Sequence, residues 1–481
     1  MSGTRAAGGY EAVIGLEVHA QLLTRTKLFC RCPNAYGGEP NTRVCPVCLG
    51  LPGALPSLNG EAVRLAVRLG SALGSRIERT SIFARKNYFY PDCPKNYQIS
   101  MYDRPLCTGG AIEPGPGVKG GKIVIERIHL EEDAGKLIHD GTTSLVDFNR
   151  SGVPLVEIVT GPVIDSPRRA ASCLRDLRQA LRYLGVCDGN LEEGSMRCDV
   201  NVSVRPPGSA ELGTRTEIKN LNSFKAVATA LETEIERQTA LLEGGGLVRR
   251  STWLWDEGSG RLAMMRHKEE AMDYRYFPEP DLPPLVVDEG MIEEELLRIP
   301  ESPRARAERF AASWDISPED AAVLVSESGL ADYFEETASI SGLPGPSARL
   351  VLREVLREVK RTAGGLVALR VRPPDLAVLA GMIEAGRIHA SAASEVFEEM
   401  AATGEDAETV TARLGLELLD ARDEIRSLVG EVLAENPSEV ERYRSGKKQL
   451  LRWFTGQVMK RSGGRADPRV VGEILLSRLE E

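Results

Sequence analysis

The sequence predicts an α+β protein: a mainly antiparallel sheet, then an all-helical domain, then a small helical tail. Three observations predict it. Apolar and polar residues alternate in several segments of the first half, which marks strands with one dry and one wet face. Prolines cluster at Pro278, Pro280, Pro283 and Pro284, then at Pro300 and Pro303, and beyond them the apolar spacing becomes helical. Finally, the charge reverses near the end of an otherwise acidic chain. With 481 residues there is room for about three domains, and we draw boundaries near 298 and 415, giving 1–298, 299–415 and 416–481.

The clearest strand runs from Ile14 to Leu22, where Ile14, Leu16, Val18, Ala20 and Leu22 are apolar and Glu17, His19 and Gln21 fall between. Met196–Arg205 repeats the pattern, with Arg197, Asp199 and Asn201 on the wet side. Ile123–Glu132, Leu145–Asn149, Leu155–Val159 and Thr214–Lys219 read as further strands, and Glu61–Leu73 and Pro167–Leu184 as the helices between them. Clean alternation in mixed order favours antiparallel pairing. In the helical part, Ser317-Pro318-Glu319-Asp320 has the form of a helix start, and Asn436-Pro437-Ser438-Glu439 repeats it.

A net charge of −10 argues against general nucleic-acid binding by the whole chain. No apolar run is long enough to span a bilayer, and Met1–Gly9 lacks the apolar core of a secretory leader, so a cytoplasmic protein with no membrane partner is expected. Of nine cysteines, Cys30, Cys32, Cys45 and Cys48 form two close pairs. That spacing fits a closed, structural Zn²⁺ site in a reducing compartment.

The wet faces of the strands carry chemistry. Residues two apart on a strand point the same way, so Glu17 joins His19, Asp199 joins Asn201, Asp147 joins Asn149, and Glu217 joins Lys219. Glu131 and Glu132 end another strand beside Asp133. If these strands are neighbours, one face gathers carboxylates around an imidazole, which suits Mg²⁺ held together with phosphate oxygens; otherwise it is a solvated face. Two aromatic segments add cations to rings: Arg85 to Ser100, with Lys86, Tyr88, Tyr90, Lys95 and Tyr97, and Asp273 to Asp281, with Tyr274, Arg275 and Tyr276. Such segments can stack a base and hold a phosphate, as ATP or an RNA end requires, or can simply pack as loops against the sheet. From Glu441 onward there are ten Lys or Arg against five acids, a basic helical end suited to RNA phosphates or an ordinary solvated face.

Several motifs together resemble the B subunit of the aspartyl/glutamyl-tRNA amidotransferases, the GatB/GatE family. They are Val13-Ile-Gly-Leu-Glu-Val-His-Ala-Gln-Leu22, Arg85 to Ser100, Ile128-His-Leu-Glu-Glu-Asp-Ala-Gly-Lys136 and Asp147-Phe-Asn-Arg-Ser-Gly-Val-Pro-Leu155. Met196 to Val204, Thr216-Glu-Ile-Lys-Asn-Leu-Asn222, Asp273 to Asp281 and Gly456-Gln-Val-Met-Lys460 complete the set. Cys93 and Asn96 depart from the family pattern without removing a charge. The resemblance implies a glutamine-synthetase-like cradle with a zinc loop, a helical domain and a tRNA-binding tail. It also implies ATP-dependent phosphorylation of the side-chain carboxylate of Glu-tRNA(Gln) or Asp-tRNA(Asn), then amidation with ammonia from a partner amidase. A small subunit would complete the heterotrimer. Carried over by position, Glu17, His19 and Glu132 resemble Mg²⁺ ligands, with Glu131 beside them and one of the two glutamates facing away. Asp199 and Glu217 would supply a further metal or ammonia-side position. Lys86, Tyr88, Lys95, Lys219 and Arg275 would contact nucleotide or acyl phosphate. Read without the resemblance, the chain is also compatible with a ligase acting on a small carboxylate, or with a zinc-containing RNA-binding protein.

Overall fold

In the computed structural model the described residues are 9–115, 118, 120–267, 274–362, 364–417, 422–464 and 466–480. Asp273 of the second aromatic segment, Met1 to Gly8, and Arg465 and Glu481 of the basic end therefore lie outside them. The chain forms two compact units, one up to Ser302 and one from Pro303.

The first unit is built on a ten-stranded sheet. Strand β1 (Glu11–Gln21) lies near its centre. A hairpin-like pair, β2 (Phe83–Asn87) and β3 (Tyr97–Met101), stands apart in a three-stranded sheet completed by Phe277–Pro278. Next come β4 (Ile123–Glu132), the separate hairpin β5 (Lys136–Asp140) and β6 (Thr143–Asp147), then β7 (Pro154–Thr160) and β8 (Met196–Arg205). Strands β9 (Thr216–Lys219), β10 (Ser251–Asp256) and β11 (Arg261–His267) extend the sheet to one edge. The spatial order is β11-β10-β9-β8-β1-β7-β4, and the two-residue strands Cys107–Thr108 and Arg76–Ile77 finish the other edge. Every pairing is antiparallel except β9 with β10, so the large sheet is mixed by that one pair.

The dry face of the sheet is where alternation put it. Ile14, Leu16, Val18, Ala20, Val200 and Val202 are essentially inaccessible, packed in one core with α1 (Gly60–Ala72), α2 (Pro167–Tyr183) and α3 (Phe224–Glu243). Asn59 and Ser223 accept hydrogen bonds from the first turns of α1 and α3, satisfying amides that a helix start leaves open. A further helix, α4 (Glu289–Leu296), docks on α1, with the fully buried Glu295 held by Arg64, Arg68 and Arg298.

The expected strand at Leu145–Asn149 is displaced. The strand there ends at Asp147 and pairs only with β5, away from the large sheet. Asp147 and Asn149 are therefore not part of the wet face. Asp147 instead accepts hydrogen bonds from the backbone amides of Asn41 and Asn149, and Asn149 accepts one from Arg43.

Among its described residues the second unit has helices and no strands. One apolar core gathers buried residues from Phe310 to Val410, and a second gathers Ile425 to Leu479. The second is made by α5 (Arg422–Glu435), α6 (Pro437–Arg444), α7 (Leu450–Arg461) and α8 (Pro468–Glu480). Ser317 caps its helix by accepting from the Asp320 amide. Asn436 stands at the start of α6 without such a bond, because its side-chain amide instead donates to the Val432 carbonyl at 2.7 Å. No described helix is long and apolar enough to cross a membrane.

Leu174 lies fully buried on α2 and Leu297 is 89% exposed after α4. Leu174→Ala should cost the first unit about 3 kcal/mol through the lost contacts and the cavity left behind. Leu297→Ala should cost under about 0.5 kcal/mol. Denaturant unfolding of both variants measures the contrast.

Candidate active site

The wet face of the sheet is organised in rows. Across β4, β7, β1 and β8, one row of register partners reads His129, Glu157, His19 and Arg197. The next reads Arg127, Val159, Glu17 and Asp199. Period-two geometry turns all of these side chains to one side. All but Val159 line a cavity of about 650 Å³ there, joined by Glu131, Asn201, Glu217 and Lys219 from the sheet. Lys86 and Tyr88 from the β2 region and Tyr274 and Tyr276 from the second aromatic segment form another wall. The two aromatic segments meet there: Phe277 pairs with Arg85, and the Asn87 amide donates to the Tyr274 carbonyl at 3.0 Å.

Glu157 lies at the centre. It is buried, with one carboxylate oxygen 3.3 Å from His19 Nε2 and 3.4 Å from His129 Nε2. Burial alone would favour the neutral acid, but the charge and hydrogen bonds of His129 and His19 hold its carboxyl well below the usual range. Burial likewise opposes charge on His19, yet the Glu157 hydrogen bond and charge, helped by Glu131, lift the imidazole above its ordinary value. Glu131 lies 4.0 Å from His19 Nε2, and its second oxygen is buried without a hydrogen-bond partner. One ligand atom each from His19, Glu131 and Glu157 falls within 4.8 Å of the others. Glu17 accepts from Asn201 at 2.9 Å. Burial, with Glu157, Glu217 and Asp199 nearby, pushes its carboxyl up.

Cations interleave with these acids. Lys86 Nζ is 3.5 Å from Glu131 and 5.5 Å from the Tyr274 ring centre. Burial works against its charge, but Glu131 and Glu157 raise its pKa above the ordinary lysine value. Lys219 is ion-paired with Asp199 and lies 3.0 Å from Glu217, which also accepts from Thr252 at 3.0 Å. The buried Asp133 accepts from Arg197 at 2.9 Å and lies 3.5 Å from Arg150.

The profile of the GatB/GatE catalytic domain matches residues 12–293, and that of the GatB domain matches residues 332–479. This chain belongs to the GatB/GatE family. It is 50% identical over 473 residues to the B subunit of the aspartyl/glutamyl-tRNA(Asn/Gln) amidotransferase of Thermodesulfovibrio yellowstonii, an alignment covering 98% of this chain and 100% of the other. The proteins of the same name from Nitratidesulfovibrio vulgaris and an Anaeromyxobacter species are 49% and 48% identical, each over 98% of this chain and 99% of the relative.

In this GatB/GatE chain, Glu17, His19, Glu131, Asp199, Glu217, Lys219, Lys86 and Tyr88 all reach the cavity. Glu132, carried over as a ligand, does not line it. Being next to Glu131 on a strand, it faces the other way, where it is ion-paired with Lys95 and accepts from the Ile99 amide at 2.8 Å. Lys95 is thereby turned from the cavity too. Arg275 is exposed, with a backbone φ of +45°, and is flanked by Tyr274 and Tyr276, which do line the cavity. Glu157, His129, Arg127 and Arg197 are cavity residues that sequence reasoning did not single out as functional. Glu157 had a signal, being one carboxylate inside the otherwise apolar run Pro154–Val159.

The four cysteines of the GatB/GatE chain form a second cluster, their sulfurs all within 4.8 Å of one another. Cys45 and Cys48 sulfurs are 3.9 Å apart, close to the roughly 3.8 Å expected for thiolates around tetrahedral zinc. The Cys48 thiol is pulled down to about 5 by its hydrogen bond with Cys30, against burial, with help from the Cys45 amide and the Lys27 ammonium. The ammonium is 3.7 Å from the sulfur. The arrangement fits a closed four-thiolate metal site.

Asp133 has its carboxyl lowered because Arg197 and Arg150 outweigh burial. A lowered carboxyl adds stability above its unfolded value near 3.8, and that stability disappears as pH falls through the folded value. Asp133→Asn should therefore cost about 3 kcal/mol at pH 7. Its deficit should shrink below about pH 4, as followed by denaturant melts across pH.

Proposed function

We propose that this chain activates the side-chain carboxylate of Glu-tRNA(Gln) or Asp-tRNA(Asn) with ATP and then amidates it. The products would be Gln-tRNA(Gln) or Asn-tRNA(Asn), made inside an assembly whose amidase subunit supplies ammonia and which includes a small subunit. The relatives that align with this chain almost end to end are named as B subunits of an aspartyl/glutamyl-tRNA(Asn/Gln) amidotransferase. The observation that carries the reading is the single cavity in which His19, Glu131 and Glu157 cluster beside Glu17, Asp199, Lys86 and Lys219.

A carboxylate resists ammonia because its leaving group would be an oxide. Attack of one carboxylate oxygen on the γ-phosphorus of ATP breaks the bond to ADP and gives an acyl phosphate. Ammonia then adds to the acyl carbon, phosphate departs with its bonding pair, and a proton leaves the nitrogen. His19, Glu131 and Glu157 fit a divalent cation, since they converge and the buried second oxygen of Glu131 accepts no hydrogen bond, facing only the Lys86 ammonium at 3.5 Å. Mg²⁺ held by these residues would offset phosphate charge during transfer. Lys219, kept protonated between Asp199 and Glu217, faces the cavity as a donor to an anionic oxygen. Lys86 holds Glu131 in place from the aromatic wall. Glu17, whose carboxyl is pushed up, is suited to take the proton from attacking ammonia. Tyr88, Tyr274 and Tyr276 offer rings to a base.

The same reading makes residues 1–298 a glutamine-synthetase-like cradle, 299–415 a helical domain and 416–481 the tRNA-binding tail, in a cytoplasmic enzyme. It makes the ion held by Cys30, Cys32, Cys45 and Cys48 a structural zinc.

The test combines the full chain, its amidase and small subunits, misacylated Glu-tRNA(Gln) or Asp-tRNA(Asn), Mg·ATP and ammonium chloride, which bypasses the glutaminase. Amide on the tRNA should form only with ATP. Glu17→Gln should lower its rate about a hundredfold or more, with folding and tRNA affinity kept. ATP-independent product, or none from either tRNA, sinks the reading. Elemental analysis should find one zinc per chain, lost in Cys45→Ser; a zinc-free parent would reject the structural ion.

A further inference from the structure

Most cations of the cavity are already neutralised. Lys86 faces Glu131, Lys219 lies between Asp199 and Glu217, and Arg150 and Arg197 share Asp133. Three guanidiniums differ. Arg127, Arg215 and Arg250 line the same cavity, and among the described residues none has an ion pair or side-chain hydrogen bond.

For Arg127 and Arg250, which are half-buried, this is costly, whereas Arg215 is exposed. Arg215 and Arg250 each stand one residue before the parallel strands β9 and β10 begin, two residues ahead of the register pair Glu217–Thr252. Both line the cavity where that pair of strands begins, and paired strands run about 4.8 Å apart. Like charges in neighbouring strand positions repel, and Arg250 is half-buried, so water screens it incompletely. Arg127 comes from β4, across the face, in the row that contains Glu17 and Asp199. Arg215 also lines a smaller cavity of about 210 Å³ that shares Glu17 and Asn201 with the first, which leaves it standing over both.

We propose that Arg215 and Arg250, faced by Arg127, form the subsite that takes the polyphosphate chain of the nucleotide. This rests on the reading of the cavity as an ATP site and names the groups that hold its phosphates. Guanidinium forks match phosphate oxygens in pairs, and two forks side by side match successive phosphoryl groups of one chain. The lysines stay with their carboxylates. The nucleotide is favoured over RNA phosphates because the three arginines share one cavity with the His19, Glu131 and Glu157 cluster, where a terminal phosphoryl group would react.

The test measures Mg·ATP, AMP and misacylated-tRNA affinities by equilibrium dialysis on the full chain and on Arg127→Gln, Arg215→Gln and Arg250→Gln. Each variant should bind Mg·ATP about tenfold to a hundredfold more weakly and AMP nearly as before. Arg215→Lys should recover part of the loss. Because no partner is orphaned, the ligand-free thermal midpoint of Arg215→Gln and Arg250→Gln should match or exceed the parent's. Mg·ATP affinity within twofold of the parent in both would overturn the proposal. So would a loss of tRNA affinity alone, with the salt dependence flattened by about one unit, which would assign these arginines to RNA. A parent that binds no Mg·ATP would instead overturn the nucleotide reading of the cavity, and this proposal with it.

Discussion

One buried carboxylate sets the terms for the cavity. Glu157 is enclosed by the sheet yet held ionised, because His19 and His129 flank it on the two neighbouring strands. Removing a charge from water costs several kcal/mol or more, and only close opposite charge offsets it. The same contacts fix what surrounds it. His19 is drawn toward protonation and held in orientation, Glu131 is brought beside it, and Glu17 is left in a crowd of acids that resists its ionisation. A register slip of one residue on β1 would turn Glu17 and His19 into the core and bring Leu16 and Val18 out. The apolar packing of one face and the electrostatics of the other therefore select the same pairing.

What could be read from sequence followed the physics of exposure. On β1 and β8 one face is dry and the other faces the cavity, so alternation is clean and the predicted side-chain directions hold. On β7 every residue from Pro154 to Thr160 is buried, with no alternation between its faces, and Glu157 hides in what looks like a plain core strand. Asp147 and Asn149 have the right spacing for a shared face, but spacing does not say which strand is next door, and their hairpin pairs with itself. Glu131 and Glu132 show the limit at its sharpest. Parity requires them to diverge, and only the neighbours, Lys86 on one side and Lys95 on the other, decide which way each goes. Strands β10 and β11 went unread because Ser251–Asp256 is partly exposed and carries no regular pattern. The unpaired arginines were invisible for a similar reason: sequence shows a cation but not whether it already has an anion.

The cysteine loop is fastened to the cavity from behind. The fully buried Lys27 donates to the Arg43 carbonyl at 2.8 Å and lies against the Cys48 sulfur. Ser151 donates to the Cys48 carbonyl at 3.1 Å, just ahead of β7. Gly50 is tight against Lys95, where an added Cβ would lie 2.3 Å from the lysine side chain, and Lys95 in turn holds Glu132. The loop thus braces the ends of β4 and β7, the strands that carry Glu131 and Glu157.

The central position of β1 has a consequence for how the protein is made. Its partners on β8 lie roughly 180 residues later in the chain, and at ribosomal speeds of about 5–20 residues per second that is a wait of roughly ten to forty seconds. Its other neighbour, β7, is made only about 40 residues earlier, so for most of that interval a strand with five apolar residues on one face has neither strand neighbour beside it. Newly made chains are then most exposed to misassociation before Arg205 has emerged, and chaperones that shelter nascent apolar segments would matter most in that interval.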